Sequence, residues 1–206
     1  TFKAFVGMKI DEGDTVITGT GSKAVLVFDN KEVIIPHSSV VVFSKMQKNG
    51  DKEVTSITVK SGGVGSKVNE KLKEGSSYEI KTPTAVMGVR GTEFYAQYRN
   101  GELEMLVSKG TVSMSYNTQD GKLTSQSEGG EANEILVEGP NSVNLPTEGS
   151  EVDPIEGEAN EEKYNEALEE GKLWKAFHEE NKDGGSGKAI PGESEIPHEA
   201  SPERKV

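Results

Sequence analysis

Short apolar runs separated by glycine turns recur along the first 145 residues, and this spacing constrains the fold more than any other feature. The strongest turn signals are Asn49-Gly50, Asn100-Gly101 and Asp120-Gly121, since such dipeptides favour the two-residue loops that close β-hairpins. Runs with the twofold alternation of a strand flank them. About a dozen short strands at regular spacing predict an all-β fold, with a roll, a β-solenoid and a sandwich as the alternatives.

Three stretches carry more specific predictions. Apolar and polar residues alternate over residues 2–6 and predict a first strand. A strand pattern at the very start is expected of a chain from which a targeting segment has been removed. Residues 23–28 form a nearly continuous apolar run, which predicts a strand buried on both faces. The glycine-rich residues 61–66 predict a turn or a bulge.

The acidic charge is concentrated near the C-terminus. Residues 148–206 carry 17 acidic and 7 basic side chains, whereas residues 1–147 carry 18 and 16. Large apolar residues are also sparse after Pro146, so this segment cannot bury enough surface to fold alone. We therefore predict a β domain at residues 1–146 and an acidic segment at residues 147–206 with a disordered end.

One helix is predicted within the acidic segment, at about residues 161–180. Asn160 suits the N-cap, and apolar side chains recur at helical spacing after it. Trp174 and Phe177 lie on this predicted helix. They would either dock on the β domain or contact a partner.

Composition also disfavours several classes of function. The basic residues form no run longer than two, and nucleic-acid binding needs a clustered basic surface. No stretch of about 18 apolar residues predicts a transmembrane helix. The chain has no cysteine, and its three histidines stand apart, so no thiolate, metal or Ser-His-Asp chemistry is indicated. We predict that the chain is not an enzyme and binds no metal or cofactor.

The most specific pattern is residues 81–94, which read Lys-Thr-Pro-Thr-Ala-Val-Met-Gly-Val-Arg-Gly-Thr-Glu-Phe. Strands are predicted on both sides, so we interpret the pattern as a short connection between two strands. Gly88 and Gly91 indicate a sharp turn or the close approach of another segment. Arg90 is interpreted as a structural clasp for carbonyl or carboxylate oxygens.

This pattern resembles the signature of the FecR domain family. Gly13-Asp14 upstream and Gly110 with Val112 downstream are consistent with that family, and the resemblance covers roughly residues 2–116. We predict that the motif residues hold the module together. They are Thr82, Pro83, Gly88, Val89, Arg90, Gly91, Thr92, Phe94 and Gly110.

The resemblance implies a β-rich, non-enzymatic module on the outer side of a bacterial inner membrane. In iron-uptake regulators of this family, the domain passes a signal from an outer-membrane receptor to an anti-sigma segment inside the cell. This chain shows neither a helical cytoplasmic region nor a membrane span. We therefore expect a periplasmic or cell-surface module that binds a protein or cell-wall partner. The alternative is the extracytoplasmic part of a transmembrane sigma-factor regulator.

Overall fold

The computed structural model describes residues 3–28, 31–68, 72–89 and 91–152. Within these ranges the chain forms thirteen strands and no helix, so the predicted all-β class is confirmed. No helix of the described ranges is long and apolar enough to cross a membrane. The predicted helix at residues 161–180 and the acidic end lie outside the described residues.

The strands follow one another mostly through tight turns. Their bounds are β1 Thr15–Ile17, β2 Ala24–Phe28, β3 Lys31–Ile35, β4 Val40–Asn49, β5 Lys52–Val68, β6 Ser77–Lys81, β7 Ala85–Val89, β8 Glu93–Arg99, β9 Glu102–Lys109, β10 Thr111–Gln119, β11 Lys122–Thr124, β12 Glu131–Glu138 and β13 Asn141–Leu145.

The longest strand, β5, is shared by the two parts of one curled sheet. Its first half pairs with β4 on one side and with β6, in parallel, on the other. Its second half pairs with β3 and β8. We call the part that contains β1, β4, β6, β7, β10, β11 and β12 the first sheet, and the part that contains β2, β3, β8, β9 and β13 the second sheet.

A bend in β5 brings the two sheets face to face. Gly62 has a φ of 83°, and the space beside its α-carbon is filled by the backbone of Ser39. A straight strand of this length would separate its ends by roughly 50 Å. Instead Lys31, which lies opposite Val68 at one end of β5, forms an ion pair with Glu53 at the other end. The second half of β5 therefore folds back over the first.

The hydrophobic core lies between the two sheets. Inward-pointing side chains alternate along the strands and form one buried cluster with members from both sheets. The cluster includes Val33, Phe43, Ile57, Val64, Ile80, Met87, Phe94, Met105, Met114 and Leu123. A polar contact also lies within it: the hydroxyls of Tyr78 on β6 and Ser66 on β5 are 2.7 Å apart. Burial raises the pKa of Tyr78.

Removing this hydroxyl contact should lower stability measurably. We expect Tyr78→Phe to cost about 1–2 kcal/mol, because the buried Ser66 hydroxyl loses a partner. The double variant Tyr78→Phe/Ser66→Ala should recover part of that loss, since no polar atom is then left without its partner. Urea unfolding of the three chains measures the difference, and an equal or larger loss in the double variant would contradict the explanation.

The prediction that residues 23–28 are buried on both faces is wrong. β2 lies at an edge: among the described strands it pairs with β3 alone, and the side chain of Val27 is 74% exposed. A continuous apolar run does not distinguish a strand with two neighbours from a strand with one. The predicted strand at residues 2–6 is also wrong over its described part, because residues 3–6 form no strand.

Residues 61–66, predicted as a turn or a bulge, lie within β5 and mark its bend. The pairing of β5 with β4 shifts register directly before them, between Val59 and Ser61. The motif, predicted as a connection between strands, contains a strand instead, because its residues 85–89 form β7. The backbone of β7 pairs with β6 on one side and with β10 on the other, and these pairings outweigh the weak strand preference of Gly88.

Candidate functional site

The Thr-Pro pair of the motif closes the hairpin between β6 and β7. The backbone N–H of Thr82 donates to the carbonyl of Ala85 at 2.9 Å, and the N–H of Ala85 donates to the Thr82 hydroxyl at 3.1 Å. The carbonyl of Pro83 accepts the N–H of Gln126 at 2.9 Å. Proline fixes φ for this turn without removing a bond that the turn uses. The pair thus ties the hairpin to the loop after β11.

The next two motif residues lie inside β7. Gly88 is paired with Glu79 on one side and Ser113 on the other. A Cβ at Gly88 would lie 3.8 Å from the nearest atom, the carbonyl oxygen of Ser113. Val89 is buried opposite Val112, which is also buried. The turn or close approach expected at Gly88 is therefore not found there.

The later motif residues lie where the chain passes between the sheets. Gly91 has a φ of 68°. The carbonyl of Thr92 accepts the N–H of Val68 at 3.0 Å, and the Thr92 side chain is buried. Phe94 is buried at the start of β8, opposite Val107 on β9. These residues carry the chain from β7 in the first sheet to β8 in the second.

Gly110 packs directly on this passage. Its φ is 83°, and a Cβ there would lie 2.7 Å from Cγ2 of Thr92 and 2.8 Å from the carbonyl oxygen of Gly91. The Gly110 carbonyl accepts the N–H of Gly139 at 2.9 Å. A Cβ at Gly139 would in turn lie 2.8 Å from the backbone N of Lys109. We call Gly91, Thr92, Gly110 and Gly139 the crossover seam.

The crossover seam has a topological origin. The chain passes from the first sheet to the second between β7 and β8, returns between β9 and β10, and passes again between β12 and β13. All three passages meet at the seam, where backbone contacts backbone and leaves no room for side chains. Gly91 and Gly110 belong to the predicted motif, whereas Gly139 does not, although the pair Gly139-Pro140 is a turn signal in the sequence.

Arg90 of the motif and the predicted partner contacts Trp174 and Phe177 lie outside the described residues, so the roles predicted for them stay predictions. Two groups of described motif residues have been distinguished by their contacts: Thr82 and Pro83 in the hairpin turn, and Gly91, Thr92 and Gly110 in the crossover seam. Val89 and Phe94 belong to the core.

A partly buried ion pair stands out among the described residues, and no pattern in the sequence predicted it. Lys31 is 1% exposed, and its Nζ lies 2.6 Å from Oε2 of Glu53. Lys48 Nζ lies 3.1 Å from the other carboxylate oxygen. The hydrogen bond from Lys31, followed by that from Lys48, lowers the pKa of Glu53 against the opposing effect of its burial. The pair joins the two ends of β5.

Glu53 should make stability depend on pH. Because its pKa is lower in the folded chain, its contribution is present above the unfolded value and is lost as pH falls through the folded value. We expect Glu53→Gln to cost about 1–3 kcal/mol near neutral pH. Between about pH 7 and about pH 3, the variant should lose less stability than the wild type.

A matched control is Glu79→Gln. Glu79 pairs with Lys81 at 3.2 Å, and both side chains are well exposed, so its removal should change stability by less than about 0.5 kcal/mol. Urea unfolding at several pH values measures both variants. Parallel pH curves for the wild type and Glu53→Gln would contradict the role of Glu53.

The described residues contain no group of three histidine, aspartate or glutamate side chains that could hold a metal ion. His37 is exposed, and its Nδ1 lies 3.3 Å from the neighbouring Ser38 hydroxyl. The arrangement of the motif residues is thus one of packing and backbone hydrogen bonds.

This chain shows a distant similarity to solved structures. Two crystal structures of a candidate anti-sigma factor from Parabacteroides distasonis ATCC 8503 match this chain at 13% and 12% identity, with TM-scores of 0.47 and 0.48. Each match covers 70% of this chain and 57% of that protein, so the chain spans little more than half its length. Comparison with curated proteins gives no significant match.

The family model described as FecR protein matches residues 14–113. This range runs from the residue before β1 into β10 and contains every described motif residue. The resemblance to the FecR domain family that the motif predicted is therefore confirmed at residues 14–113.

Proposed function

We propose that this chain is a non-enzymatic signalling or interaction module of the bacterial envelope that recognises a protein or cell-wall partner. The family match at residues 14–113 is the observation that carries the proposal. Within the match, Thr82, Thr92 and Gly110 are engaged in turns and in the crossover seam. Recognition is therefore assigned to surfaces other than these residues.

Two surfaces are available for recognition. The first is the set of exposed strand edges of the β domain, since an edge can accept a strand from a partner. The second is the acidic segment, which we propose begins near residue 147 and offers Trp174 and Phe177. Its net charge of −10 would favour a basic partner surface.

A pull-down from envelope extract separates the two surfaces. The bait is the full chain or a chain that ends at Val152. This end point keeps the contacts that the last described residues make with β11 and the turn before it. Glu151 pairs with Lys122, and the N–H of Val152 donates to the carbonyl of Gly121. Loss of a partner in the shorter chain assigns recognition to the acidic segment, and retention assigns it to the β domain.

Point variants of the full chain provide the control. If the acidic segment binds through its aromatic residues, Trp174→Ala and Phe177→Ala should each remove the partner while the unfolding curve stays unchanged. Cell fractionation tests the location. Recovery of the full-length protein from the cytosol would exclude an envelope module.

The second candidate is the extracytoplasmic part of a transmembrane regulator of a sigma factor, the arrangement that the family resemblance implies for iron-uptake regulators. The gene discriminates between the two candidates. An upstream helical region followed by one membrane span supports the regulator, whereas a signal peptide alone supports the separate module.

A further inference from the structure

The edges of the two sheets are not equally protected against pairing. Among the described strands, β1, β11 and β12 lie at the edges of the first sheet, and β2 and β13 at the edges of the second. Edges are commonly protected by charge, proline or shortness. β1 and β11 have three residues each, β12 carries Glu131, Glu134 and Glu138, and β13 is flanked by Pro140 and Pro146.

β2 has none of these protections. Its five residues, Ala-Val-Leu-Val-Phe, include no charge, proline or glycine. Val27 is 74% exposed on the outer face, while Ala24, Leu26 and Phe28 pack partly against the core. An uncharged edge of this kind is a site for the addition of another strand.

The backbone groups available at this edge follow from the hairpin register. Phe28 pairs with Lys31 across two intervening residues, and Leu26 and Ala24 pair with Val33 and Ile35. In a hairpin with a two-residue loop the closing pair exchanges backbone hydrogen bonds, and bonded pairs alternate along the strands. The N–H and C=O groups of Val25 and Val27 therefore point away from β3, toward the open edge.

We propose that the partner at this edge is a second copy of the chain, paired antiparallel through β2 about a twofold axis at Leu26. In this register Val25 of each copy lies opposite Val27 of the other, and these residues exchange the outward-pointing hydrogen bonds. The two copies of Leu26 meet on the axis. The second sheets of the two copies then form one continuous sheet.

The side chains of β2 favour this symmetric occupant. Ala24, the smallest residue of the strand, lies opposite Phe28, the largest, so the inner faces complement each other in volume. All five residues of each copy find an apolar partner. A chain with a net charge of −12 repels its own copies over most of its surface, and β2 is a segment without charge through which they can approach.

The first test is the oligomeric state of the full chain by analytical ultracentrifugation from about 1 μM to about 1 mM, a range that covers weak to moderate affinities. A reversible dimer is expected. Val25→Pro should weaken it by about tenfold or more, because proline removes an outward N–H without breaking a bond to β3. Val25→Thr keeps that N–H and should dimerise as the wild type does.

A charge placed on the edge gives a second, independent variant. Val27→Lys should weaken the dimer by about tenfold or more. Leu136→Lys is the matched control: Leu136 is 70% exposed on β12, outside the proposed interface, and its change should alter the affinity by less than about twofold.

The register is tested by cross-linking, because the chain has no cysteine of its own. Opposite residues of a bonded antiparallel pair have Cα atoms about 5.5 Å apart, within the range for a disulfide. Oxidation of a mixture of Val25→Cys and Val27→Cys chains should therefore give mainly the mixed disulfide.

Three results would overturn the proposal. The full chain could stay monomeric at every concentration. If the chain ending at Val152 then dimerises, the C-terminal segment is the occupant of the β2 edge in the full chain. The dimer could survive Val25→Pro and Val27→Lys. Finally, the mixed cysteine chains could link no faster than either chain links to itself.

Discussion

Replacing Gly62 with alanine is expected to prevent stable folding. A Cβ at this position would lie 2.5 Å from the Cα of Ser39, a backbone atom that cannot move aside. The φ of 83° adds the strain of a left-handed conformation. Together these effects should cost more than about 4 kcal/mol. A domain of this size is stable by only about 5–15 kcal/mol, so a loss of this size leaves little or no folded chain toward the lower end of that range.

Gly65→Ala is the matched control on the same strand. A Cβ at Gly65 would make an ordinary contact of 3.7 Å with Ile34, and its φ is not positive. Its change should alter stability by less than about 1 kcal/mol. Circular dichroism and urea unfolding measure both variants. A folded Gly62→Ala chain as stable as Gly65→Ala would show that β5 does not need this bend.

Gly110→Ala is expected to destabilise the chain by about 3 kcal/mol or more. The new Cβ would lie 2.8 Å from the carbonyl oxygen of Gly91 at a φ of 83°, so the three passages of the crossover seam would have to separate. Gly88→Ala is the control because both glycines were predicted to serve the motif. A Cβ at Gly88 would lie 3.8 Å from the nearest atom, the carbonyl oxygen of Ser113. The stability of the Gly88→Ala chain should therefore change by less than about 1 kcal/mol.

Thermal and urea unfolding of Gly110→Ala and Gly88→Ala show whether stability depends on the crossover seam alone or on the whole motif. A larger loss for Gly88→Ala than for Gly110→Ala would contradict the packing described above. Partner binding measured on the same proteins adds a second readout. Loss of binding by a Gly110→Ala chain of unchanged stability would assign the seam to recognition instead.

The hairpins could be predicted from the sequence because their signals are local. Asn100 and Asp120 adopt positive φ, as their Asn-Gly and Asp-Gly pairs indicated, and each joins two of the predicted strands. The edge position of β2 could not be predicted. Whether an apolar run gains one neighbouring strand or two depends on residues far along the chain, and no local pattern records that choice.

The motif was recognisable for a similar reason, whereas its arrangement was not. Thr82 and Ala85 are three residues apart, so their turn follows from local chemistry. Gly110 packs against Gly91 across 19 residues of sequence, and Gly139 donates a hydrogen bond to Gly110 across 29 residues. Only the exchange of strands between sheets explains those contacts. The ion pair of Lys31 and Glu53 depends on the bend of β5 in the same way.

The sharing of β5 by both sheets has a consequence for cooperativity. Unfolding of either sheet disrupts the pairing of β5, which is also a strand of the other sheet. Neither sheet is therefore an independent folding unit. Unfolding should therefore follow a single transition, with the same midpoint for probes in either sheet. Amide hydrogens in both halves of β5 should then exchange with the same free energy of opening.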